Sequence, residues 1–238
     1  MTRAFNVHCL RKRLIAPNVY ELRLEKPAGF TFAAGQFVLF DVPLFENPTD
    51  MQTRAYSIAS APFESDLLFV IKLVPNGRAS RWLETKLQEG DVIHLQGPIG
   101  RFLLKQDEAP LLMAATGTGV APFRAQLLTM FAEARNARTV HLVNGVLSPR
   151  DFYWEAEWKA LEQAHPNLHV HASFLSGEPD WHGETGSVQD RVKKIIAESA
   201  DNLQIYLCGP PDLVATLKTL CLEECGVAKE YIHAESYV

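Results

Sequence analysis

Short apolar runs separated by turn residues fill the first hundred positions of the chain. Turn signals such as Pro75-Asn76-Gly77 lie between runs that are rich in Val, Ile, Leu and Phe. The runs predict β-strands at residues 5–15, 19–25, 36–42, 54–60, 67–74 and 91–96. Only residues 79–87 have a helical pattern here. Strands at this spacing predict a closed antiparallel β-barrel, because closure removes exposed strand edges.

The pattern changes after residue 108, where strands and helices begin to alternate. Residues 111–115 form a continuous apolar run, which is typical of a strand buried on both faces of a parallel sheet. Further strands are predicted at 139–146, 168–175 and 204–208, with helices at 152–165, 188–198 and 212–224 and one ending near residue 135. This alternation predicts a doubly wound α/β fold. The sequence therefore predicts two domains, residues 1–108 and residues 109–238.

Composition narrows the class of protein. Of the 238 residues, 47% are hydrophobic and 21% are charged, which suits one or two soluble globular domains. The formal net charge of -5 indicates no strongly basic face for nucleic acid or an anionic membrane. The chain has neither a run of about 18 apolar residues nor an apolar leader, so we expect a cytoplasmic location.

The cysteines and histidines do not predict a metal site. No fused [2Fe–2S] domain is expected, because the cysteines lack the C-x4-C-x2-C spacing of plant-type ferredoxins; they are Cys9, Cys208, Cys221 and Cys225. No spacing of carboxylates or thiols accompanies the histidines of the second half, for which we expect surface or packing roles: His165, His169, His171 and His182.

Two segments of the second half lie where a predicted strand runs into a helix. The first is Thr116-Gly117-Thr118-Gly119-Val120-Ala121-Pro122, whose glycines allow backbone N–H groups to approach a pyrophosphate. Pro122 replaces the third glycine of the G-x-G-x-x-G fingerprint, and a plain tight turn is the alternative. The second is Cys208-Gly209-Pro210-Pro211-Asp212. Because ligands bind outside the carboxyl ends of strands in such sheets, both segments can face one crevice. Cys208 taken alone is better explained as an inert buried thiol.

In the first half, Arg54-Ala55-Tyr56-Ser57 combines three chemical types on one predicted strand. The Arg54 guanidinium can hold a phosphate through paired hydrogen bonds. Tyr56 lies two residues along the same face and can stack on a flat ring, and the Ser57 hydroxyl can reach a ring heteroatom. A surface Arg–Tyr pair is the alternative.

These residues resemble the R-x-Y-S flavin motif of the ferredoxin–NADP reductase family of FAD-dependent reductases. Further segments resemble that family's motifs in the family's order: Gly35-Gln36-Phe37, Asn76-Gly77-Arg78-Ala79-Ser80, Gly97-Pro98-Ile99-Gly100-Arg101-Phe102, Gly117-Thr118-Gly119-Val120-Ala121-Pro122, Cys208-Gly209-Pro210 and Glu235-Ser236-Tyr237. Two departures are Ala34, where the family has the proline of P-G-Q-F, and Val238, which follows the tyrosine that ends plant-type members.

The resemblance implies an FAD-binding barrel, an NAD(P)-binding α/β domain and a stand-alone reductase. Ser57, Cys208 and Glu235 would then surround the place where nicotinamide C4 meets flavin N5. Tyr237 would cover the flavin face and be displaced by nicotinamide. Implied FAD-binding residues are Arg54, Ala55, Tyr56, Ser57, Ile71, Lys72, Gly77, Ala79, Ser80 and Tyr237. Implied nucleotide-binding residues are Thr116, Gly117, Thr118, Gly119, Val120, Pro122, Cys208, Gly209, Pro210 and Asp212.

The choice between NADH and NADPH depends on the segment after the strand that ends near Ser176. Relatives that use NADP often place Arg or Lys there to bind the 2′-phosphate. This chain has Gly177-Glu178-Pro179-Asp180, so NADH is expected, although Arg150 or Arg191 could compensate.

Three functions remain open from the sequence. The first is transfer of electrons to a protein acceptor such as ferredoxin, flavodoxin or an oxygenase component. The second is reduction of free flavin or another small molecule, and the third is a regulatory subunit that binds both ligands without turnover. Residues 1–108 carry a net charge of +1 and the remainder -6, which favours the flavin half as the dock for an acidic carrier. The candidate docking residues are Arg11, Lys12, Arg13, Arg78 and Arg81.

Overall fold

The structure, a computed structural model, describes residues 3–44, 47, 49–132, 137–177, 185–199 and 202–237. Its backbone contacts divide the chain into two compact units. The first consists of Met1–Leu104 together with Ala121–Ala132, and the second of Lys105–Val120 together with Glu133–Val238. The predicted boundary between residues 108 and 109 stays a prediction, because the chain re-enters the first unit for one helix.

The first unit is built on a six-stranded antiparallel sheet with the order β4-β3-β6-β1-β2-β5. Beyond the end of β4, the Ala59 N–H donates to the Leu68 carbonyl oxygen on β5 at 2.8 Å, which joins the two outer strands. The strands are β1 (Arg3–Ala16), β2 (Val19–Glu25), β3 (Phe37–Pro43), β4 (Met51–Ser57), β5 (Asp66–Lys72) and β6 (Val92–Ile99). Its helices are α1 (Arg78–Thr85) and α2 (Ala121–Ala132).

Alternation of apolar and polar residues places one face of these strands in the core. In β3, Val38, Phe40 and Val42 are fully buried, whereas the residues between them are partly exposed. Phe40 contacts Phe69 of β5 edge to face, with ring centroids 4.9 Å apart. Aromatic pairs of this kind contribute about 0.5–1.5 kcal/mol beyond the area they bury.

The second unit is built on a five-stranded parallel sheet with the order β11-β10-β7-β8-β9. Its strands are β7 (Leu111–Thr116), β8 (Val140–Val146), β9 (Leu168–Phe174), β10 (Gln204–Gly209) and β11 (Ile232–Ser236). Its helices are α3 (Glu155–Ala164), α4 (Val188–Glu198) and α5 (Pro211–Thr219). The strand order reverses between β10 and β7, which is the switch point where doubly wound sheets bind ligands. The predicted fold class is confirmed for both units.

Three elements of the second unit differ from the sequence-based expectation. One is the helix predicted at residues 212–224, where α5 ends at Thr219 and Leu220–Glu224 forms a π-helical turn. Strand β11 was not predicted, because its five residues lack an apolar run and none of them is buried. Helix α3 begins at Glu155 rather than at residue 152, because Trp154 adopts a left-handed conformation with φ of 61°. Bulky residues rarely adopt that conformation, and it interrupts the helical backbone.

A buried arginine holds the entry into the second unit. The Arg138 side chain is 5% exposed and pairs with Asp107 at 2.8 Å. Its guanidinium also donates to the carbonyl oxygens of Ala109, at 2.6 Å, and Lys105, at 3.1 Å. Because Arg138 precedes β8, these bonds attach the segment before β7 to the neighbouring strand.

Among the described residues, no helix combines the length and the apolar character that a membrane crossing requires.

Candidate functional site

In the first unit, Arg54 and Tyr56 lie on the same face of β4. Both are partly exposed, with Ala55 more exposed between them. The Tyr56 ring packs against Phe40 with centroids 4.9 Å apart, and burial raises its pKa to about 12. The Arg54 guanidinium donates to the Thr53 carbonyl oxygen and to Gln52 Oε1, at 2.8 and 2.7 Å. Both acceptors are neutral, so the strand presents a fixed aromatic ring beside a guanidinium whose charge these two bonds do not neutralise.

Ser57 ends the same strand. It is 8% exposed and is paired in register with Phe37 of the Gly35-Gln36-Phe37 segment. On β5, Ile71 is buried and Lys72 is exposed. The structure thus holds these predicted flavin residues on regular strands of one sheet.

The predicted diphosphate turn lies at the start of α1. Gly77 is the residue before the helix, and no side chain caps the N-terminus. The first turn of an α-helix leaves backbone N–H groups without intrahelical partners, here those of Arg78, Ala79 and Ser80. The Ser80 hydroxyl accepts a hydrogen bond of 2.7 Å from the Val74 N–H, which fixes the shape of the turn.

These residues fit a flavin with a diphosphate. A Cβ on Gly77 would lie 2.9 Å from Ser80 Oγ and 3.1 Å from the Val74 carbonyl oxygen, so the cradle depends on glycine. A cavity of about 360 Å³ adjoins the turn, lined by residues that include Gly77, Ser80 and Arg81. Uncapped N–H groups and a nearby guanidinium are donors that suit an anion.

In the second unit, the two predicted nucleotide segments meet at the switch point. Gly117–Val120 forms a turn of 3-10 helix directly after β7, and the Cys208 position pairs in register with Ala115 of that strand. A Cβ on Gly119 would lie 2.3 Å from the Cys208 carbonyl oxygen. Gly119 is therefore required for the turn to approach the end of β10.

The carboxyl-terminal segment completes this cluster. Strand β11 places Glu235 beside Cys208 in the parallel register. The Tyr237 N–H donates to the Gly209 carbonyl oxygen at 3.1 Å. The Tyr237 hydroxyl donates to the Thr118 carbonyl oxygen at 2.9 Å, and the Cys208 thiol lies 3.6 Å from that hydroxyl. Cys208, Glu235 and Tyr237 are thus brought together in the second unit, and their predicted role at the flavin stays a prediction.

The Cys208 thiol is neutral under ordinary conditions. It is fully buried, and burial raises its pKa to about 12, with the Glu235 carboxylate adding to the rise and the Tyr237 hydrogen bond opposing it. A neutral thiol is a weak nucleophile, and this one is therefore not prepared for nucleophilic attack.

The remaining predicted nucleotide residues lie on β7, in the turn after it, and at the starts of α2 and α5. Thr116 ends β7, and Val120 ends the turn. Pro122 lies in the first turn of α2, which belongs to the first unit. Pro210 and Asp212 are exposed at the start of α5. Ser57 belongs to the first unit, so its approach to Cys208 and Glu235 stays a prediction.

Tyr153 was missed from the sequence. It is 4% exposed, and its hydroxyl donates to the Gly117 carbonyl oxygen at 2.9 Å, which supports the nucleotide turn. Residues 152–165 were interpreted as helix because apolar residues recur there. The only signal for another role was the aromatic run Phe152-Tyr153-Trp154.

Three of the candidate docking residues have structural partners. The Lys12 ammonium donates to the Leu83 and Leu87 carbonyl oxygens, at 3.0 and 2.7 Å, at the end of α1. Arg13 pairs with buried Glu21 at 2.9 Å, and Arg78 lies 3.4 Å from Asp50. These bonds give each of the three cations a structural role within the first unit.

The segment considered for coenzyme choice is described only in part. The Ser176 hydroxyl donates to the Leu147 carbonyl oxygen at 3.0 Å. Gly177 follows it, whereas Glu178, Pro179 and Asp180 lie outside the described residues, as do His182 and Val238. Arg191 lies on α4, where its charge lowers the pKa of His171 after the larger effects of burial and His141. Arg150 is exposed before α3.

Two family models together match most of the chain. Residues 9–103 match the oxidoreductase FAD-binding domain, and residues 113–219 match the oxidoreductase NAD-binding domain. An FAD cofactor and a nicotinamide nucleotide are therefore confirmed as the ligand classes of the two domains.

Named relatives agree with this assignment. The chain is 32% identical to ferredoxin–NADP reductase B of Sorangium cellulosum over 98% of this chain and 97% of that protein. It is 31% identical to the electron transfer component of anthranilate 1,2-dioxygenase from Acinetobacter baylyi, over 87% of this chain but 58% of that protein.

A solved cytochrome P450 reductase from Amycolatopsis superimposes with a TM-score of 0.88 at 27% identity, over 99% of this chain and 70% of that chain. A ferredoxin–NADP+ reductase from Plasmodium falciparum has the same fold, with a TM-score of 0.81 at 23% identity over 98% and 96% of the two chains. The resemblance noted from the sequence motifs is thus confirmed over the full length of one relative. The chain belongs to the ferredoxin–NADP reductase family of FAD-dependent NAD(P)H oxidoreductases.

Proposed function

We propose that this protein takes a hydride from NAD(P)H onto bound FAD and passes the electrons singly to a redox carrier protein. The observation that carries the proposal is the cluster at the end of β10. There the Tyr237 hydroxyl lies within hydrogen-bonding distance of both the Cys208 thiol and the Thr118 carbonyl oxygen. Named relatives include a ferredoxin–NADP reductase and dioxygenase electron transfer components, which supports a protein acceptor.

The chain's own residues act mainly by positioning. FAD when bound supplies the capacity to accept a hydride and to release electrons one at a time. Hydride transfer requires two rings in a near-attack geometry rather than a strong acid or base. We propose that Cys208 and Ser57 orient the nicotinamide and the flavin edge with neutral groups. Glu235 guides the approach and handles a proton near the thiol, and the Tyr237 ring leaves when nicotinamide binds.

NADH is the proposed coenzyme. A 2′-phosphate accepts hydrogen bonds only, and the proton of the Ser176 hydroxyl is already donated to the Leu147 carbonyl oxygen. Gly177 follows Ser176 where NADP-using relatives often place a cation. The carboxylates of Glu178 and Asp180 in the next residues would repel a phosphate, at about 1–3 kcal/mol for one close like-charge contact.

An acidic carrier such as a ferredoxin or flavodoxin is the proposed acceptor, and an oxygenase component is the alternative protein acceptor. The support is the net charge of +1 on residues 1–108 against -6 on the remainder. Of the candidate docking cations, Arg11 is exposed on β1. A cytoplasmic location is part of the same proposal. A reductase of free flavin is the second candidate, because the same fold and the same half-reaction serve both acceptors.

The test compares acceptors on one preparation. Heat-released cofactor is identified by mass and should be FAD. The reduced protein is then offered an acidic [2Fe–2S] ferredoxin or free FMN under identical conditions, and kcat/KM is measured for each. We expect ferredoxin to be preferred by at least about tenfold, which corresponds to about 1.4 kcal/mol. A preference for FMN would establish the second candidate, and a flavin that NADH and NADPH fail to bleach would establish a regulatory subunit.

A further inference from the structure

Helix α2 carries a buried arginine that bonds to the loop between β4 and β5 of the first unit. Arg124 is 4% exposed, and its guanidinium makes two parallel bonds to the Glu64 carboxylate, at 2.9 and 3.1 Å. The same guanidinium donates to the Ala59 carbonyl oxygen at 2.8 Å. Glu64 Oε2 also accepts from the Ala61 N–H at 2.6 Å. The loop after β4 is thus bonded to α2 at two points, the Ala59 carbonyl oxygen and the Glu64 carboxylate, and the Lys26 ammonium also donates to its Pro62 and Glu64 carbonyl oxygens.

The pair is specific in shape. Two planar groups joined by parallel bonds fix direction as well as distance, which a lysine ammonium does not do. Arg124 is buried and Glu64 is half-buried, so removing Glu64 alone would be costly, because the buried guanidinium would lose its compensating charge. A pair of this kind is weak evidence for net stability, whereas its fixed geometry suits a positioning role.

The two residues of the pair lie on segments that adjoin, in the sequence, two different proposed ligand sites. Ala59 and Glu64 follow Ser57 of the proposed flavin strand in the loop before β5. Arg124 lies on the first turn of α2, and the peptide bond between Val120 and Ala121 joins that helix to the nucleotide turn.

A second polar contact fastens α2 to the first unit. Gln126 is 1% exposed, and its amide donates to the Phe102 carbonyl oxygen at 2.6 Å. Gly35 leaves room for that contact, since a Cβ there would lie 2.0 Å from the Phe102 carbonyl oxygen and 2.6 Å from Gln126 Nε2. The helix is therefore anchored at two points, one turn of helix or less apart, on the unit that contains the flavin residues.

We propose that Arg124 is a positioning residue for hydride transfer. Through its bonds to Glu64 and Ala59 it fixes the start of α2 against the segment that follows Ser57 of the proposed flavin strand. Arg124 itself is assigned no contact with either reactant. The proposal rests on the proposed function, because it concerns the rate of the hydride step.

The test uses stopped-flow reduction of the FAD-loaded protein by NADH. Arg124→Met should lower the limiting rate of flavin bleaching by about tenfold to a hundredfold, since small misplacements remove near-attack geometry. The apparent Kd for NADH should stay within about twofold, because the bonds that hold the nucleotide are intact. The long-wavelength charge-transfer absorbance of stacked nicotinamide and flavin should weaken in parallel. Arg124→Lys should recover only part of the rate.

Three further measurements separate positioning from loss of stability. Arg138→Met removes an equally buried ion-paired arginine that lies outside α2, so it should lower the Tm while leaving the limiting rate unchanged. The double variant Arg124→Met with Glu64→Leu removes both charges and should fold, because apolar replacement of a buried pair is often neutral for stability. It should nevertheless remain slow. Hydrogen exchange of the cofactor-free protein should quicken over residues 117–132 in the Arg124 variants but not in Arg138→Met.

The outcomes are distinguishable. If the unmodified protein shows no bleaching by NADH or NADPH, the proposed function fails. If it bleaches, and the folded double variant keeps the parent rate and charge-transfer absorbance, Arg124 has a structural role alone and the inference is overturned. A third outcome would also contradict the inference: the double variant bleaches slowly and Arg138→Met bleaches at the normal rate, but hydrogen exchange over residues 117–132 is unchanged in the Arg124 variants. The slow rate would then not come from a displaced helix.

Discussion

The Tyr237 hydroxyl donates a 2.9 Å hydrogen bond to the Thr118 carbonyl oxygen, so the tail residue occupies part of the proposed nicotinamide cluster. Nicotinamide must compete with this bond if Cys208 and Thr118 contact it. Tyr237→Ser should therefore tighten NAD(P)+ binding, and Tyr237→Phe should reproduce only the share due to the hydroxyl. A net hydrogen bond contributes about 0.5–1.5 kcal/mol, which predicts a Kd lower by roughly two- to tenfold for Tyr237→Phe. Titration calorimetry of the FAD-loaded protein measures this, and an unchanged Kd in both variants would contradict the competition.

Cys208 should affect the hydride step rather than the fold. Cys208→Ala should slow flavin reduction by NADH by on the order of a hundredfold while leaving FAD content unchanged. Reduction by dithionite is the control, because it does not require the nicotinamide to be oriented. A variant that reduces its flavin at the parent rate but melts at a lower temperature would show that Cys208 is a core residue.

Glu235 should act on the same step, because it lies beside Cys208 in the register of β11 and β10. Glu235→Ala should slow the reduction, and the double variant with Cys208→Ala should be less than additive if both residues serve one geometry. The same stopped-flow measurement gives all four rates of the cycle. If the two losses in rate were fully additive, Cys208 and Glu235 would act independently, which would contradict a shared geometry.

The two glycines of the nucleotide turn give a matched pair. A Cβ on Gly119 would collide with the Cys208 carbonyl oxygen, whereas a Cβ on Gly117 would meet nothing within 4 Å. Gly117→Ala should lower the free energy of unfolding by roughly 1 kcal/mol, because the left-handed φ of 51° is its only source of strain. Gly119→Ala should cost about 3 kcal/mol or more, because backbone must move. Urea unfolding gives both values, and equal losses would contradict the close approach of the turn to β10.

Three stacked histidines predict a pH dependence of stability. His141 on β8 lies with ring centroids 5.0 and 5.3 Å from those of His169 and His171 on β9. Burial, then His141 and Arg191, lowers the pKa of His171 to about 4, and burial chiefly lowers that of His141. The unfolded chain binds these protons near pH 6.5 and the folded chain does not, so stability is fully present above that pH.

As the pH falls from about 6.5 towards 4, the unfolding free energy should decrease, by about 2 kcal/mol for His171 after allowance for its partial exposure. Urea midpoints across this range provide the measurement. His171→Asn should flatten the profile, and His8→Gln, at an exposed position on β1, serves as the control. A profile that keeps its slope in His171→Asn would assign the dependence to other groups.

Much of the fold follows from local pattern, and the parts that do not have identifiable causes. The apolar run at 111–115 and the turn after it predict β7 and the glycine turn, because burial on both faces leaves an unbroken apolar stretch. Strand β11 could not be predicted, since it is stabilised by pairing with β10 rather than by its own composition. The helix predicted from residue 152 does not form until after Trp154, because the backbone of Trp154 is left-handed, a conformation that this residue type does not indicate.

The same distinction holds for the site. Residues in short motifs, such as Arg54, Tyr56 and Cys208, could be predicted as site residues, because each motif contains a residue type suited to one step of ligand binding. Tyr153 and Arg124 could not be predicted, because what distinguishes them is bonding to groups far away in the sequence: the Gly117 carbonyl oxygen for Tyr153, and the Ala59 carbonyl oxygen and Glu64 carboxylate for Arg124. Long-range polar contacts leave no periodic signal in the sequence.

The central claim is that NAD(P)H reduces bound FAD and that the electrons leave singly. The most direct measurement is anaerobic stopped-flow mixing of the FAD-loaded protein with NADH, followed by a second mix with an oxidised one-electron carrier such as a [2Fe–2S] ferredoxin. We expect rapid loss of flavin absorbance in the first mix, and reduction of about two equivalents of carrier per flavin in the second. A flavin that stays oxidised with both coenzymes, or a reduced flavin that transfers electrons only to free FMN, would contradict the claim.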